Sequence, residues 1–285
     1  MNHIEEFLLE NVYQESTRNN YAYLLNKIFA WMDSSDLTFD NISAAQVRAW
    51  MNSHKWGKNY QYVLSCALRS FTAWKYGISH PLMRLRVAKG KPSPQRTLDQ
   101  DQIETLMHLL DDGTAKGVRD RAIVALLLDS GMRSFEICGL QMKYIKIDKC
   151  CLEVFTKGGV WQHKVFSKQT ADMLTTWLEI RGGIAGPRVE TVFVGVGGST
   201  PGGPITANGL RAIFQQLSER VGFRLSPHDF RRTMAVMATQ KGAPTRIVQL
   251  QGGWSDVRMV ERYTQTMKPE DFKPYFPVSM LDLKG

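Results

Sequence analysis

Between Ser16 and Met32 apolar side chains recur three and four residues apart, at Tyr21, Leu24, Leu25, Ile28, Phe29 and Met32. That is the period of a helix with one buried face. The pattern predicts a helix over 16–32 with Ser16 or Thr17 as its N-cap. "SAAQVRAWMNS" (43–53) predicts a short second helix, and "KNYQYVLSCALRSFTAWKYG" (58–77) a longer one that stops at Gly77. Residues 1–88 therefore read as a helical domain. "RVAKGKPSPQRT" (86–97) then breaks every period, setting Gly90, Pro92 and Pro94 among four basic residues. Residues 89–97 are expected to form an extended basic linker.

A second domain, 98–285, follows. Thr97 or Asp99 caps a helix whose stripe is Ile103, Leu106 and Leu110, and "GVRDRAIVALLLDSGM" (117–132) is apolar enough for a central helix. "YIKIDKCCLEVFTKGGVWQHKVFS" (144–167) changes to β-rich residues, with Gly158-Gly159 turning between two strands. Helices are predicted at about 169–180, 206–221, 227–240, 244–251 and 255–265, and one short strand at "TVFVGV" in the Gly-rich stretch 182–205. The fold class is mainly α with a small antiparallel β-sheet: a helical N-terminal domain followed by an α+β domain. The tail, 268–285, mixes prolines with Phe272, Tyr275, Phe276, Met280 and Leu281.

Composition narrows the partners more than the fold. No run of about 18 apolar residues is present, so no transmembrane helix is expected. The acidic, amphipathic start "MNHIEEFLLENVY" is unlike a secretory leader. Cys66, Cys138, Cys150 and Cys151 have neither metal-site nor disulfide spacing, which fits a reducing, cytoplasmic setting. The net charge is +9, and it is unevenly spread: residues 41–98 contain no Asp or Glu but ten Lys and Arg. Arg48, Lys55, Lys58, Arg69, Lys75, Lys89, Lys91 and Arg96 are the candidates there for phosphate contact. Seven interleaved aromatics, mostly expected in the core, accompany them. A polyanion such as double-stranded DNA is the partner such a stretch suits.

"SPHDFRRTMAV" (226–236) opens a helix on Pro227 and puts His228 and Arg231 on one face, with Arg232 turned away. Either an anion sits at that helix start or an internal acid pairs with its arginines. Three further features accompany it. Arg133 follows the central helix in "DSGMRSFEI", with Glu136 three residues on; Lys157 stands at the hairpin tip in "TKGG"; and Trp254 precedes Tyr263 by nine residues in "GGWSDVRMVERYTQ", where Ser255 is expected to cap the last helix. Alone each is ordinary. In this order and spacing they resemble the tyrosine recombinase (phage integrase) family, and the N-terminal half is similar to that family's helical core-binding domain.

The resemblance implies a site-specific recombinase that cuts and rejoins DNA through a 3′-phosphotyrosyl intermediate, without metal or cofactor. Residue by residue it makes Tyr263 the nucleophile, Arg133 and Arg231 the phosphate clamp, and His228 the proton shuttle. Lys157 becomes the acid for the leaving 5′-oxygen, Trp254 a donor or packing group, and Glu136 a brace for Arg133. Each role suits the chemistry, since a phosphotyrosyl ester conserves bond energy and guanidiniums hold phosphate oxygens bidentately. Lys164 is a second lysine candidate, and it and Arg232 join the possible DNA contacts. The implied partners are a core DNA site, a synaptic homotetramer and a directionality factor. A type IB-like topoisomerase and an inactive DNA-binding relative remain alternatives at this point.

Overall fold

A computed structural model describes residues 3–90, 96–156, 159–198 and 200–264, and of residues 262–264 the backbone only. The chain divides into two compact units, Met1–Ser93 and Pro94–Gly285.

The first unit is helical: α1 (His3–Glu10), α2 (Glu15–Ser34), α3 (Ala44–Ser53), α4 (Lys58–Tyr76) and a 3-10 turn at Pro81–Arg84. The three-and-four stripe of α2 turns Leu24, Leu25, Ile28 and Met32 inward against Leu64, Leu68 and Phe71 of α4. Ser43 and Gln46 form a reciprocal capping box at the start of α3. The N-cap of α2 is Gln14, without a side-chain bond, rather than Ser16 or Thr17, because the helix begins a residue earlier, at Glu15.

The second unit opens with α5 (Gln100–Leu109), capped by Asp99 and Gln102. The largely buried α6 (Ala115–Ser130) forms its centre, followed by α7 (Ser134–Gly139). A three-stranded antiparallel sheet follows in the order β1 (Ile145–Lys146), β2 (Cys151–Phe155), β3 (Trp161–Val165). Leu152 pairs with Lys164 and Val154 with Gln162. Helices α8 (Lys168–Arg181), α9 (Ala207–Val221), α10 (Pro227–Gln240), α11 (Thr245–Gly252) and α12 (Arg258–Thr264) complete it. The predicted strand "TVFVGV" is not one. Its backbone makes only single bridges, Gln141 to Thr191 and Val194 to Pro204. The first carbonyls there are taken by side chains of α8, Trp177 Nε1 donating to Val192 O (2.9 Å) and Arg181 to the carbonyls of Thr191 and Val192, while Val194 O accepts from Arg119 of α6.

Three details position the site. Gly131 ends α6 at φ +59°, the left-handed region that costs other residues strain. A Cβ there would also run into Met234 Cε of α10. Gly131→Ala is therefore expected to lower stability by about 1–3 kcal/mol in urea unfolding. The buried Leu98 donates its N–H to Thr233 Oγ1 (2.8 Å), fastening the start of the unit to α10. Thr156 N–H donates to Val160 O (2.9 Å), closing the turn from β2 to β3.

Candidate active site

The turn after α6 carries Arg133. Its backbone N–H donates to Glu136 Oε2 and its Nη1 to Oε1, both at 2.8 Å. The Glu136 side chain is fully buried while that of Arg133 stays 28% exposed. A desolvated carboxylate that spends both oxygens on one arginine holds the guanidinium in place with its outer edge in reach of solvent. Arg133 Nη2 also donates to Gly253 O (3.2 Å), beside Trp254.

Helix α10 brings the second arginine. Arg231 is only 3% exposed, and its Nη1 donates to Gly131 O, the residue that ends α6. Its guanidinium carbon lies 4.1 Å from the centre of the Trp254 ring, a cation–π contact in a desolvated setting. Trp254 is buried, and its carbonyl accepts from Gln249 Nε2 (2.9 Å). Gly253, at φ +65°, ends α11 and turns the chain into that position.

His228 sits one turn before Arg231, with its edge exposed. Partial loss of water around the ring, then the charges of Arg232 and Arg231, hold its pKa below the usual histidine value. That depression favours the neutral imidazole, the form able to accept a proton. The acidic partner that the sequence left open at this helix start is Asp229. It is buried, and it pairs with Arg232 (3.4 Å), not Arg231, while accepting from Ser226 Oγ (2.9 Å).

One expectation is corrected. Lys164 is not available to DNA: it is 1% exposed, on the inward side of β3. Strand alternation turns Trp161, His163 and Val165 outward and draws Lys164 inside, beside Glu136, Arg133 and Arg231. The last helix also begins later than expected. It starts at Arg258, whose N–H donates to Asp256 Oδ1 (2.9 Å), so Asp256 rather than Ser255 takes the capping bond described there. Tyr263 is a residue of that helix, and its side chain lies outside the description. Lys157, Lys91 and the tail 268–285 also lie outside the described residues.

The structure thus gathers Arg133, Glu136, His228, Arg231, Trp254 and Lys164 into one place. The family model described as the phage integrase family matches residues 96–270, more than half of the chain. The chain belongs to the phage integrase family. Tyrosine recombinase XerC of Xylella fastidiosa (strain 9a5c) is 30% identical over 233 residues, covering 78% of this phage integrase and 76% of that protein. Tyrosine recombinase XerC of Leptospira interrogans (serovar copenhageni, strain Fiocruz L1-130) is 24% identical over 274 residues, covering 91% and 86%. Among solved structures, the XerH site-specific recombinase bound to palindromic difH substrate aligns with a TM-score of 0.74 at 17% identity, covering 92% of this chain and 80% of that one. A lambda integrase dimer bound to a COC′ core site gives the same TM-score at 16% identity, covering 92% and 76%. This phage integrase is a tyrosine-type site-specific recombinase.

Among the described residues no group of three or more His, Cys, Asp or Glu could hold a metal ion, and no helix is long and apolar enough to cross a membrane. In the first unit Arg48, Lys55, Lys58, Lys75 and Lys89 are exposed and Arg69 half-buried; in the second, Arg96 is half-buried. The aromatics between them mostly serve the core. Trp31 stacks on Trp50 at 4.4 Å, and Trp50 meets Trp56 edge-on at 5.1 Å. What the sequence missed are the main-chain acceptors Gly131 O and Gly253 O, since any residue type supplies a carbonyl.

Proposed function

We propose that this recombinase cuts one DNA strand by in-line attack of the Tyr263 phenol oxygen on a scissile phosphate. The P–O5′ bond breaks, a 3′-phosphotyrosyl ester forms, and the 5′-oxygen leaves as a hydroxyl. The convergence of Arg133 and Arg231 on one pocket, each anchored from behind, carries the reading. Two guanidiniums held before DNA arrives can meet the charge that builds on nonbridging oxygens without reorganising. His228 accepts the phenolic proton and Lys157 supplies the proton for the 5′-oxygen. Trp254 packs against Arg231 and fixes its plane. The acid-free segment of residues 41–98, in the helical domain and linker, grips the phosphates flanking a core site, aided by Arg232. Strand exchange takes place in the cytoplasm within a tetramer of this chain, with the direction of exchange set by an accessory factor.

The test is to incubate the protein in EDTA with a nicked duplex library of randomised sequence, denature with SDS, and sequence the attached DNA. The nick lets a short fragment diffuse away and leaves the ester trapped. Attached DNA sharing one motif, linked to the peptide that contains Tyr263, is the expected result. Attachment without sequence preference would indicate relaxation at many sites instead, and absence of any attachment would overturn the mechanism.

Two further outcomes follow from the same roles. The acid limb of the second-order attachment rate, which reports the free enzyme, is expected to fall off below the usual histidine pKa, and to disappear in His228→Gln. Sign and cause agree: a depressed pKa favours the neutral base, so activity is lost only as pH drops through that lower value. Deleting residues 277–285 is expected to impair strand exchange between two core sites while leaving DNA binding unchanged, as read by gel shift and recombination of paired substrates.

A further inference from the structure

Among the described residues of the pocket, Lys164 is an ionisable group that has neither a step nor a supporting role assigned above. Its Nζ donates to the carbonyl oxygens of Ser130 (3.2 Å) and Gln251. Ser130 is the last residue of α6, three before Arg133; Gln251 stands in α11, three before Trp254. The second of these elements is joined to β3 again: Gln251 Nε2 donates to Val165 O and to Asp129 O, and its Oε1 accepts from Val165 N–H. Strand β3 therefore lies between the two segments that deliver Arg133 and Trp254, and one ammonium spans them.

An apolar side chain would fill this position at less cost, because an ammonium taken out of water gives up strong hydration even when it finds partners. Its partner across the strands, Leu152, shows that the surroundings accept an apolar group. The charges facing it are Glu136 from α7, Arg133 from the preceding turn and Arg231 from α10. Two of these three repel it. A charge held there against that cost points to a task at the site that packing does not supply.

We propose that Lys164 is a positioning residue of this recombinase: its ammonium ties the turn after α6 to the end of α11, and so sets the spacing between Arg133 and the Trp254 ring that backs Arg231. The inference rests on Arg133 being a phosphate ligand, as argued above. Burial, opposed by Glu136 and reinforced by Arg231 and Arg133, brings the Lys164 pKa down to about 7. A bound phosphate adds negative charge beside the same arginines and favours the ammonium, so DNA binding and protonation of Lys164 support each other.

The test compares wild type with Lys164→Met and Lys164→Gln on a pre-nicked core-site duplex, measuring melting, equilibrium binding and the single-turnover rate of covalent attachment across pH 5.5–9. Lys164→Met is expected to melt no earlier than wild type and to bind DNA within about twofold. Its attachment should slow by about 10- to 100-fold, the scale of a small misplacement of reacting groups. In Lys164→Gln the amide still donates but cannot titrate, so attachment is expected to lose the pH dependence that wild type shows on the alkaline side of neutrality. Attachment by Lys164→Met at the wild-type rate, or binding and attachment falling together, would overturn the proposal. If neither variant folds, the ε-carbon NMR signals of 13C-lysine wild type decide. One lysine titrating near neutrality, and moving to higher pH on adding core-site DNA, is expected; none doing so overturns the proposal. Wild-type attachment in the same assay reports separately on the phosphotyrosyl mechanism.

Discussion

Tyr263→Phe is expected to abolish covalent attachment to DNA, by about 10⁴-fold or more, while melting and core-site binding stay at wild-type values. The substitution removes one oxygen and nothing else, and the backbone of α12 is compatible with either ring. A neighbouring hydroxyl would inherit the role only by meeting the same geometry. The nucleophile must reach phosphorus in line with the departing 5′-oxygen, and that alignment is worth several kcal/mol. The measurement is SDS gel analysis of labelled nicked duplex. Attachment persisting in Tyr263→Phe would mean that another residue forms the ester, and would remove Tyr263 from the mechanism.

Arg231→Lys is expected to cut attachment by about 10²- to 10³-fold, the typical loss when one preorganised donor to a developing oxyanion is removed. Lysine keeps the charge but cannot span the same contacts. Arg231 donates to Gly131 O with one arm while its guanidinium carbon lies over the Trp254 ring. A shorter, compact ammonium gives up the guanidinium's contact over that ring and its fork of donors. Binding should weaken much less, because affinity for a long duplex comes from many phosphates and one is a small share. Comparing rates at saturating DNA separates the two. Equal attachment by Arg231→Lys would show that charge alone suffices there.

Much of this architecture was legible because helices announce themselves. The stripe Leu24, Leu25, Ile28, Met32 is a local signal that the structure uses as read, and of the two caps offered, Thr97 or Asp99, it uses Asp99. Order and spacing also exposed the cluster of Arg133, His228, Arg231 and Trp254, because each sits at the end or start of an element with its own marker, such as Gly131 or Pro227. Two things were not local. "TVFVGV" has strand composition, yet the carbonyls of Thr191 and Val192 accept from Trp177 and Arg181 of a helix, and that of Val194 from Arg119 of another. Lys164 belongs to a residue type that normally seeks water, and only the register with Leu152 and Val154 shows that its side of β3 faces inward. The sequence pattern of β2 carried that information, one strand away from where it was needed.

The bond from Leu98 N–H to Thr233 Oγ1 has a practical consequence for dissecting this enzyme. A catalytic fragment begun at Gln100, where the first helix of the second unit starts, would contain every helix and strand named there. It would still strip a buried leucine and a backbone donor from α10, two residues beyond Arg231, and leave a hydroxyl in the interior facing nothing. Such a fragment would report the behaviour of a loosened α10 rather than that of an independent domain, and limited proteolysis near residue 98 would inactivate without touching any residue assigned to chemistry. A start upstream of Arg96 keeps that fastening, and is where the boundary of a working catalytic unit belongs.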